Sequence, residues 1–153
     1  PVEAGTVDWV ISNCVINLSP EKPRVFREIA RVLKPGGEML VSDIVAEEMP
    51  AELKNDERLY ASCIAGAISE KDYLAGLRAA GLADVEVRDR LVYDGSQLEA
   101  FFVSEMPAEG SAGCCGSGAG ACGCGLGAAE LLPVARSMVG KIWSAKVYGR
   151  KPV

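Results

Sequence analysis

Residues 7–45 read VDWVISNCVINLSPEKPRVFREIARVLKPGGEMLVSDIV, and this stretch decides the fold. It begins with a nearly continuous β-branched and aromatic run at 7–12, which is typical of a parallel strand buried on both faces. Apolar residues then recur at the spacing of one helix face from Val25 to Leu33. A second apolar run at 39–45 predicts another buried strand. Strand, helix and strand with short connections predict a right-handed βαβ unit, and hence an α/β fold.

The two ends of this first helix carry local signals. Ser19 is a favourable N-cap, with Pro20 at the first helical position and Glu21 in the first turn. The run Lys-Pro-Gly-Gly at 34–37 supplies a cation in the last turn, followed by residues that cannot continue a helix. We therefore expect the helix to begin at Pro20 and to end before residue 35.

Capping signals and apolar periodicity predict the remaining elements. Ser69 to Asp72 is an acidic variant of the capping box, and Ser96 to Glu99 forms a second box. The expected elements are a weaker helix from 50 to about 64, a helix from Ser69 that stops at Gly81, a half-exposed strand at 85–93, a short helix through 103, a marginal helix at 130–139 interrupted by Pro133, and a last strand at 141–148.

These signals divide the chain into five parts. Residues 1–46 form the strand-helix-strand part of the core, and 47–68 form an inserted segment that carries Cys63. Residues 69–107 supply helix, strand and helix, and 128–153 supply a helix and the final strand. We expect 108–127 to be a flexible loop. The eight Gly and four Cys at 110–127 leave too little apolar surface to offset the entropy of ordering.

Composition excludes several functions. The chain has 153 residues and no His, so a His-paired nucleophile, a His general base or a His metal ligand cannot come from it. The net charge of −5 argues against a nucleic-acid partner, which needs clustered Lys and Arg. No apolar run approaches the ~20 residues that span a bilayer, and we expect no apolar leader. We expect a cytoplasmic protein with no membrane contact, of which this chain is a part.

Cysteine is the residue type that carries candidate chemistry. In a reducing compartment the six Cys are expected to be ligands, nucleophiles or bystanders rather than structural disulfides. Asn13 and Cys14 follow the first strand, and ligands of open α/β sheets bind beyond the carboxyl ends of strands. Asn13 can hydrogen-bond a polar ligand there and Cys14 can present a thiolate. Cys63 lies in an insertion of the kind that covers a sheet active site. The alternative for both Cys is a small buried hydrophobe.

A second group of thiols lies in the Gly-rich stretch and comprises Cys114, Cys115, Cys122 and Cys124. Four thiols with no competing ligand type indicate a soft metal or metalloid, such as Zn, Cu(I) or trivalent arsenic. The vicinal pair departs from the usual zinc spacing. The alternative is a flexible tail with no fixed structure.

Several other conspicuous residues receive simpler interpretations. Asp43, near the end of the second strand, could face the site, but capping or solvation is the preferred interpretation for it and for Asp8 and Asp89. Trp9 and Trp143 lie on predicted strands and are expected to be core residues rather than recognition elements.

Together these motifs resemble the C-terminal half of the arsenite S-adenosylmethionine methyltransferases. The specific part of the resemblance is SNCVINL at 12–18, paired with SCIAGA at 62–67 and SEKDY at 69–73. VLKPGG at 32–37 is shared widely by Rossmann-like methyltransferases, so it indicates the fold and not the substrate. The resemblance implies the C-terminal half of a class I methyltransferase sheet in three layers, αβα, with a Cys/Gly-rich loop.

The resemblance also implies a substrate, trivalent arsenic, held by thiolates. Two of the family's thiolates align with Cys14 and Cys63, and the others come from the N-terminal half. The lone pair of thiolate-bound arsenic can attack the methyl group of S-adenosylmethionine in line, so the protein contributes mainly positioning. Methyl transfer then needs no His, and a thiol reductant is a further expected partner.

The sequence departs from the family pattern at the cofactor site. The glycine-rich loop that holds the amino-acid end of the cofactor and the acidic residue that grips the ribose are not in it. About half of an S-adenosylmethionine site is therefore expected, with Asn13 as its best contact, and we expect the 153-residue chain alone to be inactive.

An open sheet edge is also expected, which makes dimerisation possible. The alternative functions are a soft-metal or metalloid-binding module, or a methyltransferase for another small molecule.

Overall fold

Four strands and four α-helices build the described part of the fold in this computed structural model, which describes residues 2–50, 64, 66–105 and 128–153. The strands are β1 (Val7–Asn13), β2 (Leu33–Ala46), β3 (Ala83–Val92) and β4 (Ile142–Arg150). The helices are α1 (Lys22–Val32), α2 (Glu70–Ala79), α3 (Gly95–Glu105) and α4 (Ala128–Ser137). A short 3-10 helix, Ile16–Leu18, lies between β1 and α1.

The strands form one mixed sheet in the order β1-β2-β4-β3. β1 pairs with β2 in parallel, as the predicted βαβ unit requires. β4 lies antiparallel to both of its neighbours, β2 and β3. Hence β1, β2 and β3 run in the same direction, and their carboxyl ends meet at one edge of the sheet. We call this the carboxyl edge.

The predicted end of α1 before residue 35 is confirmed, but Lys34 lies in a strand rather than in the last turn of the helix. α1 ends at Val32 and β2 begins at the next residue, Leu33. In the pairing of β1 with β2, Val7 faces Leu33 whereas Trp9 faces Glu38, so the residues between Leu33 and Glu38 bulge out of the ladder. Glycine is required in this bulge, because a Cβ at position 37 would lie 2.9 Å from the Lys34 carbonyl oxygen.

Helices cover both faces of the sheet, which matches the expected three layers. Alternate residues of a strand point to opposite faces. Met39, Val41 and Val45 of β2 pack in one apolar cluster with α1 and α2. Ile44 and Ala46 pack in a second apolar cluster, together with residues of α3 and α4. The pairs α1/α2 and α3/α4 therefore lie on opposite faces.

The predicted start of α1 at Pro20 is wrong, because the helix begins at Lys22 with Glu21 as its N-cap residue. Pro23 explains the difference. A start at Pro20 would place Pro23 where its missing N–H should make the first intrahelical bond, whereas a start at Lys22 places it within the first turn, where N–H groups have no helical partner. Ser19 instead accepts a hydrogen bond on Oγ from the Glu21 amide, at 3.3 Å.

The two other predicted caps have different outcomes. Ser69 is the N-cap of α2 as expected, with its Oγ accepting from the Asp72 amide at 3.0 Å. The cap of α3 is Asp94 rather than Ser96. Asp94 Oδ1 accepts from the Gln97 amide at 2.8 Å, and Gln97 Oε1 accepts from the Asp94 amide at 3.0 Å. This reciprocal pair satisfies two amides at once, and the helix begins at Gly95, two residues earlier than a cap at Ser96 predicts.

One expectation about a buried strand residue is wrong. Trp9 is 48% exposed, because β1 is at the edge of the sheet. The register of β3 against β4 shifts between Val87 and Asp89, and such a bulge breaks the regular alternation of faces along β3. Trp143 is partly buried, as expected, and its indole N–H donates to Glu70 at 3.0 Å.

The expected helix from 50 to about 64 lies almost entirely outside the described residues, and so does the Gly/Cys-rich loop. Within the described ranges, no helix is long and apolar enough to cross a membrane. The exposed edge of β1 is consistent with the expected open sheet edge, and dimerisation through it stays a prediction.

The contact of Gly76 with the Phe26 ring generates a stability prediction. A Cβ at position 76 would lie 2.6 Å from Phe26 Cε2, and Phe26 is buried against Tyr73 with ring centroids 5.0 Å apart. Alanine normally stabilises a helix interior relative to glycine by ~1 kcal/mol. Here overpacking, which costs about 1–3 kcal/mol, should outweigh that gain, so Gly76→Ala should lower the urea midpoint of unfolding.

Gly95→Ala is the matched control, since its Cβ would meet only Val139 Cγ2 at 3.8 Å. It should leave the midpoint unchanged or raise it. Equal behaviour of the two alanine variants would contradict the packing of α2 on α1.

Candidate functional site

Cys14 occupies the carboxyl edge, immediately after the last residue of β1. Its amide donates to the Ser42 carbonyl oxygen at 2.9 Å, which continues the β1–β2 ladder by one bond. Its φ of 53° lies in the left-handed region, where residues other than glycine are uncommon. Such strain clusters at functional sites and persists where the surroundings hold it. Cys14 is partly buried and packs against the cluster that contains Ile44 and Ile64.

The turn that follows Cys14 is tied to β2 by buried polar contacts. Asn17 is buried, and its side-chain Nδ2 donates to the Ile44 carbonyl oxygen at 2.6 Å. The Lys22 ammonium donates to the backbone oxygens of Asn17, at 3.3 Å, and of Ser19, at 3.2 Å. We call residues 14–19 the Cys14 turn. These contacts fix its path against the carboxyl edge.

The chain immediately after Cys63 packs against the same turn. Cys63 itself lies outside the described residues, but Ile64 is buried in the cluster that Cys14 contacts, and Ala67 packs there too. A Cβ at position 66 would overlap the Asn17 carbonyl oxygen, so only glycine permits this approach. Ile64, Gly66 and Ala67 therefore pack against the Cys14 turn or the cluster that it contacts.

Asp43 lies beneath this turn, and its burial contradicts an expectation from the sequence. Capping or solvation was expected for Asp43, yet its side chain is 0% exposed. Its Oδ2 accepts a hydrogen bond from the Tyr73 hydroxyl at 2.8 Å, and Tyr73 is also 0% exposed. Among the described residues, no donor meets hydrogen-bond geometry at Asp43 Oδ1. The carboxylate is thus a buried group that accepts a hydrogen bond from a buried hydroxyl.

Burial and neighbouring charges act in opposite directions on this cluster. Burial raises the pKa of Asp43 to about 6, while the Tyr73 hydrogen bond, the Lys22 charge and the Cys14 amide oppose the rise. Burial also raises the pKa of Tyr73, and the charges of Asp43 and Cys14 add to the increase. Burial lowers the pKa of Lys22, and the Asp43 charge partly restores it. The four side chains therefore form one electrostatic unit.

The remaining candidates have different outcomes. Asn13 is exposed at the carboxyl edge beside Cys14, where a polar ligand can reach it. Cys114, Cys115, Cys122 and Cys124 lie outside the described residues. Within the described ranges, no group of three Cys, Asp or Glu side chains is placed to hold a metal ion.

Sequence reasoning missed four residues of this site. They are Asn17, Lys22, Gly66 and Tyr73. Tyr73 was assigned to the apolar face of its helix, and its hydroxyl had no visible partner. The one available signal was Asp43 itself, a carboxylate that interrupts the alternating apolar positions Met39, Val41 and Val45.

Residues 1–81 match the model of a family described as a methyltransferase domain. The chain belongs to this methyltransferase family. The match extends from before β1 to the end of α2 and contains Cys14, Asp43, Cys63 and Tyr73. Because members depend on S-adenosylmethionine, membership implies this cofactor.

Curated relatives refine the relationship. The arsenite methyltransferase of Aquipseudomonas alcaligenes is 47% identical over 91 residues, which are 59% of this chain and 25% of that protein. The arsenite methyltransferase of Halobacterium salinarum is 44% identical over 88 residues, or 57% of this chain and 22% of that protein. The expected resemblance to arsenite methyltransferases is confirmed. The matched part spans about a quarter of the length of these relatives.

A solved structure supports the fold over nearly the whole chain. An arsenic(III) S-adenosylmethionine methyltransferase from Chlamydomonas reinhardtii superposes with a TM-score of 0.63 at 27% identity, covering 99% of this chain and 39% of that one. The mixed sheet is thus part of a Rossmann-like, class I methyltransferase domain.

The burial of Asp43 in this methyltransferase domain predicts a pH-dependent stability. Its folded pKa of about 6 exceeds the ordinary value of 3.8, so the native chain binds more protons than the unfolded chain between these values. The free energy of unfolding therefore falls as the pH rises through this window. At 1.36 kcal/mol per pKa unit, the contribution is about 3 kcal/mol.

Asp43→Asn removes this dependence and leaves every other carboxyl in place. The unfolding free energy of the wild type minus that of the variant should decrease between about pH 4 and about pH 7. Urea titrations followed by circular dichroism measure it. A difference that stays constant across the range would contradict the burial of an ionisable Asp43.

Proposed function

We propose that this chain is the substrate-side part of an arsenite methyltransferase, which transfers a methyl group from S-adenosylmethionine to thiolate-bound trivalent arsenic. The observation that carries the proposal is the placement of Cys14 at the carboxyl edge, with the residues after Cys63 seated on the same turn. The relationship to arsenite methyltransferases supports the choice of substrate.

Chain connectivity brings the two proposed ligands together. Cys63 is bonded to Ile64, and consecutive Cα atoms are about 3.8 Å apart. Ile64 and Cys14 belong to the same apolar cluster. Two thiols reaching one arsenic atom from these positions would supply two of its three sulfur ligands. A Cys from elsewhere in a longer protein, or a small thiol, would supply the third.

The residue types fit the chemistry of this substrate. Trivalent arsenic binds sulfur strongly, and three sulfur ligands leave its lone pair directed outward. Each thiol loses its proton on binding, and the proton leaves as water together with one hydroxyl group of arsenous acid. Because the lone pair of the substrate is itself the nucleophile, no general base is needed for methyl transfer. A chain without His can therefore perform its part of this reaction.

The described residues fit one side of an S-adenosylmethionine site. Asn13 is exposed beside Cys14, and its amide can contact a polar part of the cofactor. When bound, the cofactor supplies an electrophilic methyl group on a sulfonium sulfur. The Cys14 turn and the segment at 64–67 would orient the arsenic towards it and exclude water. Activity of the 153-residue chain alone is not expected, because Asn13 is the only cofactor contact we assign in it.

Arsenite binding by cysteine variants tests the proposal. Cys14→Ser or Cys63→Ser should each weaken the binding of sodium arsenite at least tenfold, because serine cannot replace a thiolate ligand for a thiophilic atom. Isothermal titration calorimetry on the chain measures the dissociation constant. The tail thiols are removed in the background Cys114→Ser, Cys115→Ser, Cys122→Ser and Cys124→Ser.

Ser12→Ala provides the control, since it alters the same strand end without touching a thiol. It should leave the dissociation constant within about twofold, far inside the tenfold effect that corresponds to 1.4 kcal/mol. Unchanged affinity in both cysteine variants would refute the arsenic site. A methyltransferase for another small molecule has no need of Cys14 and Cys63 together and predicts that result.

A second candidate function rests on the density of thiols in the tail. Four Cys within residues 114–124 can hold a soft metal or metalloid independently of the Cys14 site. The number of arsenite ions bound per wild-type chain should then exceed by one the number bound in the background without the four tail thiols. Equal stoichiometry in the two proteins would exclude binding by the tail.

A further inference from the structure

The position of Asp43 has no explanation in the packing of the core. Met39, Val41 and Val45 point into an apolar cluster on one face of β2. Asp43 lies on the same face, between Val41 and Val45. Burying a carboxylate is unfavourable, and a hydrophobic side chain of similar volume is often equally or more stabilising. A requirement other than folding therefore accounts for the carboxylate.

The surroundings of Asp43 connect it to the Cys14 turn. The Cys14 amide donates to the carbonyl oxygen of Ser42, the residue that precedes Asp43, at 2.9 Å, and this amide also lowers the pKa of the carboxylate. The Lys22 ammonium attracts the carboxylate and also holds two carbonyl oxygens of the turn. On the opposite side, the Tyr73 hydroxyl donates to Oδ2 at 2.8 Å. Asp43 thus links the turn to helix α2.

The Cys14 backbone requires such support. A φ of 53° is unfavourable for a side-chain-bearing residue and persists only where neighbouring contacts hold it. The Tyr73 ring is itself fixed, because it is buried and packs on Phe26 with centroids 5.0 Å apart. A rigid hydroxyl can therefore set the position of the carboxylate, and the carboxylate can in turn face the Cys14 amide.

We propose that Tyr73 and Asp43 are positioning residues for the thiol site: their hydrogen bond holds the carboxylate under the Cys14 amide and keeps the Cys14 turn in the left-handed conformation in which its thiol binds trivalent arsenic. This inference rests on the proposed function and assigns two further residues to its site. Neither residue touches the arsenic, so both act through Cys14.

Arsenite binding by a tyrosine variant tests the inference in the background without tail thiols. Tyr73→Phe removes only the hydroxyl and should weaken arsenite binding about tenfold, as expected for loss of a hydrogen bond to a charged group. Tyr148→Phe is the matched control. It removes a hydroxyl that donates to Glu38 at 2.6 Å, on the face of the sheet opposite Tyr73. It should leave the dissociation constant within about twofold, well below that tenfold loss.

A double-mutant cycle separates positioning from general destabilisation. In the Cys14→Ser background, Tyr73→Phe should have no further effect on arsenite binding, because the residue through which it acts is gone. All variants are compared at a temperature at which circular dichroism shows them folded. A purely structural role would lower the melting temperature of Tyr73→Phe without changing the dissociation constant.

Each outcome decides a specific point. If Tyr73→Phe binds arsenite as tightly as Tyr148→Phe, the positioning role is refuted while the arsenic site stands. If Cys14→Ser leaves arsenite affinity unchanged, the proposed function itself fails. Should Tyr73→Phe not fold, Asp43→Asn applies the same criterion: a loss of about tenfold supports the role, and unchanged affinity refutes it.

Discussion

The parallel pairing of β1 with β2 is the constraint on which the site depends. Its register places Asn13 against Ser42, so the next residue, Cys14, continues the ladder with its amide and turns away above Asp43. A slip of one residue would move Asp43 to the other face of the sheet, away from Tyr73. The bulge between Leu33 and Glu38 lies at the start of β2, so the pairing of the two strands is regular from Trp9 to the carboxyl edge.

Buried apolar side chains hold the site rigid, although the site itself places polar groups among them. Tyr73 places its ring among buried residues and only its hydroxyl meets Asp43. Asn17 and Lys22 likewise use buried polar groups to hold the backbone of the Cys14 turn. A functional group supported by well-packed side chains keeps its geometry better than one on a free loop. A buried carboxylate with a raised pKa is the corresponding cost in stability.

Local signals were sufficient to predict the described strands and helices, and long-range contacts account for most of what was missed. The strands, the cap of α2 at Ser69 and the place of Cys14 follow from apolar runs, capping chemistry and the strand end. The hydrogen bond between Tyr73 and Asp43 joins residues 30 positions apart, and no local pattern reports it. The need for glycine at position 66 could not be predicted for the same reason, because it arises from the close approach of the Asn17 backbone. The start of α1 was misplaced by two residues, because Pro23 lacks the N–H that a helix starting at Pro20 would need for its first intrahelical hydrogen bond.

The family match ends at residue 81, and the residues before and after this point contribute differently to the proposed site. Every residue proposed for the arsenic site and its support precedes that point, from Asn13 to Tyr73. The later strands serve the same site indirectly. β4 pairs with β2 along its length and places Ala145 opposite Asp43. Ala145 is buried on the same face, and so small a side chain leaves the space beside the carboxylate to Tyr73. The scaffold is thus common to many methyltransferases, and the residues proposed for the arsenic site are a small number of positions on it.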